Sequence, residues 1–397
     1  MPVYNILDFG ALEYRSILEK KAVFESEIAD NIDNAAPIQQ AIDKCSELGG
    51  GKVLVPAGKI FLTGPFHLKS NVNLHLESGS WLIASPFENI YTESAFKKNF
   101  GEGSMWISAK ECENVSITGL GGLNGNGPAF MDGEGKAAFN LKPISTVDPR
   151  PHLLTLIDCT KVSIQDITFQ NSAYWCVHLA GCQYVVIHGV RIKNSLKIRN
   201  SDGIDVDHSK NVHFSDCSIE SGDDCICLKN RREYEEYGDC ENITVSNCIM
   251  TSTSCSFKIG SENVNKIRNV VVNNCIIQKS NRGIGIQNRD EGTVENVLFS
   301  NILIEGRLFD DIWWGKAEPI YITAFRRASG DLRDANWRFA PGQTEGMVGS
   351  VSNIRFSNCV CRSENGIYIS GEIGKISGIE FNNIKLFLQK TTSFRGG

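Results

Sequence analysis

Short runs in which apolar and polar residues alternate recur along this chain from residue 115 onward. They read VSITGL at 115, VSIQDITF at 162, VVIHGVRI at 185, VHFSDCSI at 212 and ITVSNCIM at 243, then VVVNNCII at 270, VLFSNILI at 297, IRFSNCVC at 354 and IEFNNIKL at 379. Period-two alternation is the signal of a strand with one buried face. Successive starts lie 47, 23, 27, 31, 27, 27, 57 and 25 residues apart, the 47 being close to two periods and the 57 holding an insertion. Each unit carries two such stretches broken by Gly, Asn or Asp, then a turn and a third stretch such as CICLK at 225. Strands repeated at this spacing predict a β-solenoid, whose coils bury apolar rows on one another. A propeller blade takes about 40 to 50 residues, too long for these units. The expected fold is all-β: a single right-handed parallel β-helix over residues 1–397, with a loop insertion at about 305–350.

The N-terminal part, about 1–50, reads as a cap. Ile38, Ala41, Ile42 and Cys45 fall at helical spacing within residues 35–48, so a helix there would cover the open end of the first coil and hide its edge.

Stacked coils bring equivalent positions into ladders about 4.8 Å apart. Aligning the third stretches puts Ile204, Ile226, Phe257, Ile284, Ile320 and Ile367 on one inward row and Val206, Leu228, Ile259, Ile286, Ile322 and Ile369 on the next. The residues between them point outward and read Asp205, Cys227, Lys258, Gly285, Tyr321 and Tyr368, with His178 one coil earlier. Two positions before the first inward row runs a corner line of Trp175, Asp202, Asp224, Cys255, Arg282 and Glu318, with Asp223 beside Asp224. Cys217, Cys248, Cys275 and Cys359 form a further rung line, and Asp216, Asn247, Asn274, Asn301, Asn358 and Asn383 the line before it. Both are expected to be structural, as packed thiols and a corner ladder of hydrogen bonds.

The corner line carries the chemistry. A lone Asp in a turn commonly bonds backbone amides, but the register stacks Asp202, Asp223 and Asp224 within one coil of each other. Like charges that close raise one another's pKa, so one carboxyl can stay protonated beside an ionised neighbour. Such a pair can protonate a glycosidic oxygen and activate a water on the opposite face of the sugar.

Composition is compatible with this reading. The net charge of -6 argues against nucleic-acid and anionic-membrane partners, while an exposed groove with aromatic residues would suit an oligosaccharide or polysaccharide as the partner. No cofactor and no metal ion is expected. The 14 cysteines sit largely inside strand patterns and lack the tight CxxC pairs of a metal site, so reduced thiols are expected. The opening MPVYNILDFG has neither the basic start nor the apolar core of a secretory signal. Taken as complete, the chain reads as cytoplasmic; a chain that begins after a removed leader would read the same.

The pieces ITGLGGLNGNG, RPHLLTLIDC, NSAYWCVHLAGC, NSDGIDVD, GDDCICLK and FKIGSE, together with the opening YNILDFGA, resemble glycoside hydrolase family 28, the polygalacturonases and their relatives. The resemblance covers nearly the whole chain. It implies that Asp202, Asp223 and Asp224 are catalytic in an inverting hydrolysis of pectin-derived galacturonan or rhamnogalacturonan, with Asp223 as general acid and Asp202 and Asp224 positioning the water. Two motifs depart. Cys255 stands where the family has a histidine, and Gly285 and Gln287 stand where it has the Arg and Lys of Arg-Ile-Lys.

Lys258, Arg282 and Arg289 are the nearby cations that could replace them. His178, Asp205, Lys229, Trp313, Trp314, Glu318 and Tyr321 complete the candidate substrate-binding set, with Glu318 either binding a sugar hydroxyl or pairing with Arg282. The insertion, with its adjacent tryptophans, suggests an exo-acting pocket. A polysaccharide lyase or epimerase, with the acidic corner binding calcium, and a non-catalytic carbohydrate-binding solenoid stand as alternatives.

Overall fold

The computed structural model describes residues 2–14, 22–28, 33–96, 103–134, 141–143, 150–311, 314–326 and 348–395. Internal contacts divide the chain into two units, Met1–Gly203 with Cys217–Gly222 and Ile204–Asp216 with Asp223–Gly397. Each is built from three ladders of parallel strands, the arrangement of a parallel β-helix. Among the described residues no helix is long and apolar enough to cross a membrane.

In the first unit one ladder runs through Val3–Asn5, Gly51–Val55, Val72–Leu76, Ser116–Thr118, Thr160–Gln165 and Gln183–His188. A second joins Ile60–Thr63, Trp81–Ala84, Gly122–Asn124, Thr168–Gln170, Arg191–Lys193 and Ser218–Ser221. The third holds Phe66–His67, Met105–Lys110, His152–Ile157 and Val177–Ala180. The expected helix is present as Ala35–Glu47 and buries Ile38, Ala41, Ile42 and Cys45, the apolar positions that set its face.

In the second unit the third ladder is Ile204–Asp207, Ile226–Asn230, Phe257–Asn263, Arg282–Asn288, Glu318–Ala324 and Tyr368–Gly371. Its register places Asp205, Cys227, Lys258, Gly285, Tyr321 and Tyr368 on one row, as the sequence repeat predicts. The alternate positions Val206, Leu228, Ile259, Ile286 and Ile322 have no exposed surface. Ile369 and Phe381 in the last coil are 41% and 40% exposed, whereas Ile322 and Phe356 one coil earlier are fully buried, so inward residues are buried only where another coil lies on both sides.

Two asparagine ladders turn the corners of the second unit. Asn301 donates to Asn274 at 3.3 Å, Asn358 to Asn301 at 3.2 Å and Asn383 to Asn358 at 2.9 Å. A parallel series links Asn211, Asn242, Asn269, Asn296 and Asn353 side chain to side chain. Every one of these residues has φ between 52° and 61°, the left-handed region that asparagine tolerates and most residues avoid. All fourteen cysteines are free thiols, and all but Cys112 are buried, in agreement with the reduced interior expected.

Asn301→Gly keeps the left-handed corner and loses only the ladder bonds, whereas Asn301→Ala also takes on the backbone strain. The alanine variant is expected to be less stable than the glycine variant by about 1–2 kcal/mol, measured by urea unfolding.

Candidate active site

Asp202 lies in the first unit, on the turn after Asn194. Its carbonyl accepts from Cys176 N at 2.9 Å, and the neighbouring Ser201 hydroxyl donates to Ile198 O at 2.6 Å and accepts from Gly222 N at 3.1 Å. Gly222 is needed for this closeness: a Cβ there would sit 2.3 Å from the Ile198 carbonyl oxygen. The Asp202 side chain is therefore carried on a pinned loop, and the residue is only 3% exposed.

His178 occupies the expected row, beside Thr155, but it is not on the surface. It is fully buried, with Trp175 edge-on at 5.0 Å and His152 at 5.6 Å between ring centroids. Phe96 packs edge-on to Trp175 at 5.1 Å, in a cluster with Met105 and Tyr174. A segment from elsewhere in the chain covers this part of the row, so the outward direction of His178 does not mean exposure.

In the second unit Asp223 and Asp224 stand together at the strand mouth, 2% and 1% exposed. The Asp223 carboxylate accepts from Asp224 N at 3.1 Å, and its carbonyl accepts from the Ser252 hydroxyl at 2.6 Å. Asp224 takes Ser254 Oγ on Oδ1 at 3.0 Å and Lys258 Nζ on Oδ2 at 2.7 Å. Burial pulls the Lys258 ammonium toward its neutral form, but Asp224, with Cys227 and Asp223 adding to it, outweighs burial and holds the lysine above its ordinary range. Ser252 and Ser254 went unremarked in the sequence. The signal was present, since TSTSCS places them one coil from Asp223 and Asp224 on the same corner.

Asp205 and Lys229 form a second ion pair at 3.1 Å, with the residues 0% and 4% exposed. Burial pushes the Asp205 carboxyl up to about 7 against the pull of Lys229, and the charges of Asp224 and Asp223 add to the rise. Both residues are buried structural neighbours of the acidic corner and not surface groups.

Arg282 and Glu318 form the third pair. Nη2 lies 3.3 Å from Oε1 and Nε 3.4 Å from Oε2, which realises the pairing alternative for Glu318. The guanidinium also lies over the Tyr321 ring, 3.7 Å from its centroid, and Tyr321 stacks on Tyr368 at 5.1 Å. Cys255 is buried beneath this group, and burial raises its thiol well above the ordinary range, so it remains a neutral thiol and does not replace a histidine as proton carrier. Arg289 is half-buried. Trp314 is 43% exposed, and its carbonyl accepts from Asn281 at 2.6 Å; Trp313 lies outside the described residues.

The fold and this corner define a parallel β-helix with buried paired carboxylates among fixed cations. A family model for glycosyl hydrolases family 28 matches residues 45–310, about two thirds of the 397, and the chain belongs to that family. A "Probable polygalacturonase" from Vitis vinifera is 27% identical over 262 residues, 63% of this chain and 48% of the relative. An "Endo-polygalacturonase" from Pectobacterium carotovorum subsp. carotovorum is 25% identical over 285 residues, 64% of this chain and 71% of the relative. The chain thus spans about half the length of the grapevine relative. The solved polygalacturonase from Erwinia carotovora ssp. carotovora superposes with a TM-score of 0.70 over 97% of this chain and 99% of that one, at 22% identity, a likeness of fold.

Asp205 supplies a pH test of the corner. Its folded pKa lies above the unfolded value of 3.8, so its contribution is fully present below that value and is lost as pH rises toward about 7. Across that window the melting temperature of Asp205→Asn is expected to rise relative to the unmutated protein, measured by thermal unfolding at several pH values; a constant difference would show that Asp205 does not titrate there.

Proposed function

We propose that the protein is an inverting glycoside hydrolase acting on pectin-derived poly- or oligosaccharides of galacturonan or rhamnogalacturonan type. One observation carries this reading: Asp223 and Asp224 are buried side by side at the positions matching the family's acidic pair. Asp224 is fixed by Lys258 and Ser254 through both oxygens, which suits a carboxylate that receives a proton. Asp223, whose carboxylate accepts from the Asp224 main-chain N–H, takes the acid role that the family match implies. Family membership and the polygalacturonase relatives support the substrate class.

In the reaction the Asp223 carboxyl proton passes to the glycosidic oxygen as the bond from C1 to that oxygen breaks. A water held by Asp224 adds to C1 from the opposite face and gives its proton to Asp224, inverting the anomeric centre. Solvent then restores the two carboxyls. Before the reaction the ion pairs Asp224–Lys258 and Asp205–Lys229 hold the corner's geometry.

We further propose exo action. The support is the insertion between the units at 297 and 354, of which residues 312–313 and 327–347 lie outside the described residues. A loop closing one end of a groove would leave a pocket for the chain end.

Asp223→Asn is expected to lower kcat by about 10²–10⁴-fold with an unchanged unfolding midpoint, measured on a panel of pectic oligosaccharides, and NMR should show the product first as the inverted anomer. Retained turnover would end the assignment of Asp223. On a polymer, single sugars should be released first; early mixtures of mid-length oligomers would exclude the exo mode.

A further inference from the structure

The two motif departures, Cys255 and Gly285, turn out to be one packing arrangement. A Cβ built on Gly285 would lie 2.9 Å from Cys255 Sγ and 3.2 Å from Arg282 Cδ. The space beside the row is therefore already filled by the thiol from below and by the arginine stem laid across it. No side chain can be borne at 285 while those two stay where they are, so the row itself presents no cation between Lys258 and Tyr321.

Arg282 does not take over as a free cation. Glu318 receives two of its N–H groups, the Lys316 main-chain N–H fixes Glu318 from behind at 2.6 Å, and Tyr321 supports the guanidinium face. The Arg282 and Glu318 side chains are only 12% and 8% exposed, a partly buried pair held in one geometry. Lys258 is likewise bound to Asp224 and Lys229 to Asp205. Each of these three cations thus already has its own counter-ion.

A sugar carboxylate brought into this set would have to compete with Asp224, Asp205 and Glu318 for cations they already hold, an arrangement that opposes binding. A sugar hydroxyl meets what it needs. The Arg282 fork retains N–H groups on Nη1 that Glu318 does not use, and carboxylate oxygens accept from hydroxyls.

We propose that the sugar unit lying against Gly285 and Arg282 is neutral and is recognised through its hydroxyl groups by the Arg282–Glu318 pair, and that a uronate is disfavoured there. This rests on the hydrolase reading above for the existence of a substrate, and it narrows that substrate to a chain with a neutral unit beside the acidic corner.

The test uses binding, which does not depend on turnover. Asp223→Asn is titrated calorimetrically at low ionic strength with α-1,4-linked trigalacturonate and with its carboxyl-reduced counterpart, α-1,4-galactotriose. The neutral trimer should bind at least about tenfold more tightly. Tighter or equal binding of trigalacturonate, or no binding of either at millimolar concentration, overturns the proposal. Glu318→Gln, checked for folding by its unfolding transition, leaves Arg282 without its counter-ion and should move the ratio about tenfold toward trigalacturonate; an unchanged ratio removes the pair from recognition. If the unmutated protein cleaves neither trimer nor any pectic oligosaccharide while the binding preference holds, the hydrolase reading fails and the recognition site stands.

Discussion

The parallel register of the coils is the constraint on which everything else depends. Strands about 4.8 Å apart force every side chain to live with its equivalents in the coils above and below. Apolar positions must then be apolar in each coil, corners must accept a left-handed residue in each coil, and a charged residue on an outward row must find its partner one rung away or diagonally across. The asparagine ladders, the phenylalanine stack of Phe299, Phe356 and Phe381 with centroid spacings of 4.8 and 5.1 Å, and the three ion pairs beside the acidic corner all answer the same demand.

That demand explains why so much was legible in the sequence. The row from Asp205 to Tyr368 could be written from the repeat because period two and a common start fix register without any knowledge of contacts. The helical cap was legible for the same reason, with a different period. The second asparagine ladder was open to view and passed over: Asn211, Asn242, Asn269, Asn296 and Asn353 each precede the first apolar residue of a repeat.

What the repeat could not convey is what lies over a row. His178 is sealed by an aromatic cluster that includes Phe96, about eighty positions earlier in the chain, and no periodicity links the two. Asp205 and Lys229 are outward in register and still buried. Partner choice was equally hidden: Glu318 had two readings in the sequence, and only the side-chain geometry selects Arg282. The serines that hold Asp223 and Asp224 carry a weaker signal, since small hydroxyl residues are common at corners and gain meaning only from the neighbour one coil away.

The glycine at 285 bears on how such a site can change over time. Its missing side chain, the thiol of Cys255 and the reach of Arg282 occupy one shared volume, so an arginine arriving at 285 alone would collide with both neighbours. A side chain at 285 therefore requires Cys255 or Arg282 to give way as well. A recognition surface built this way is held in place by its history as well as by its ligand.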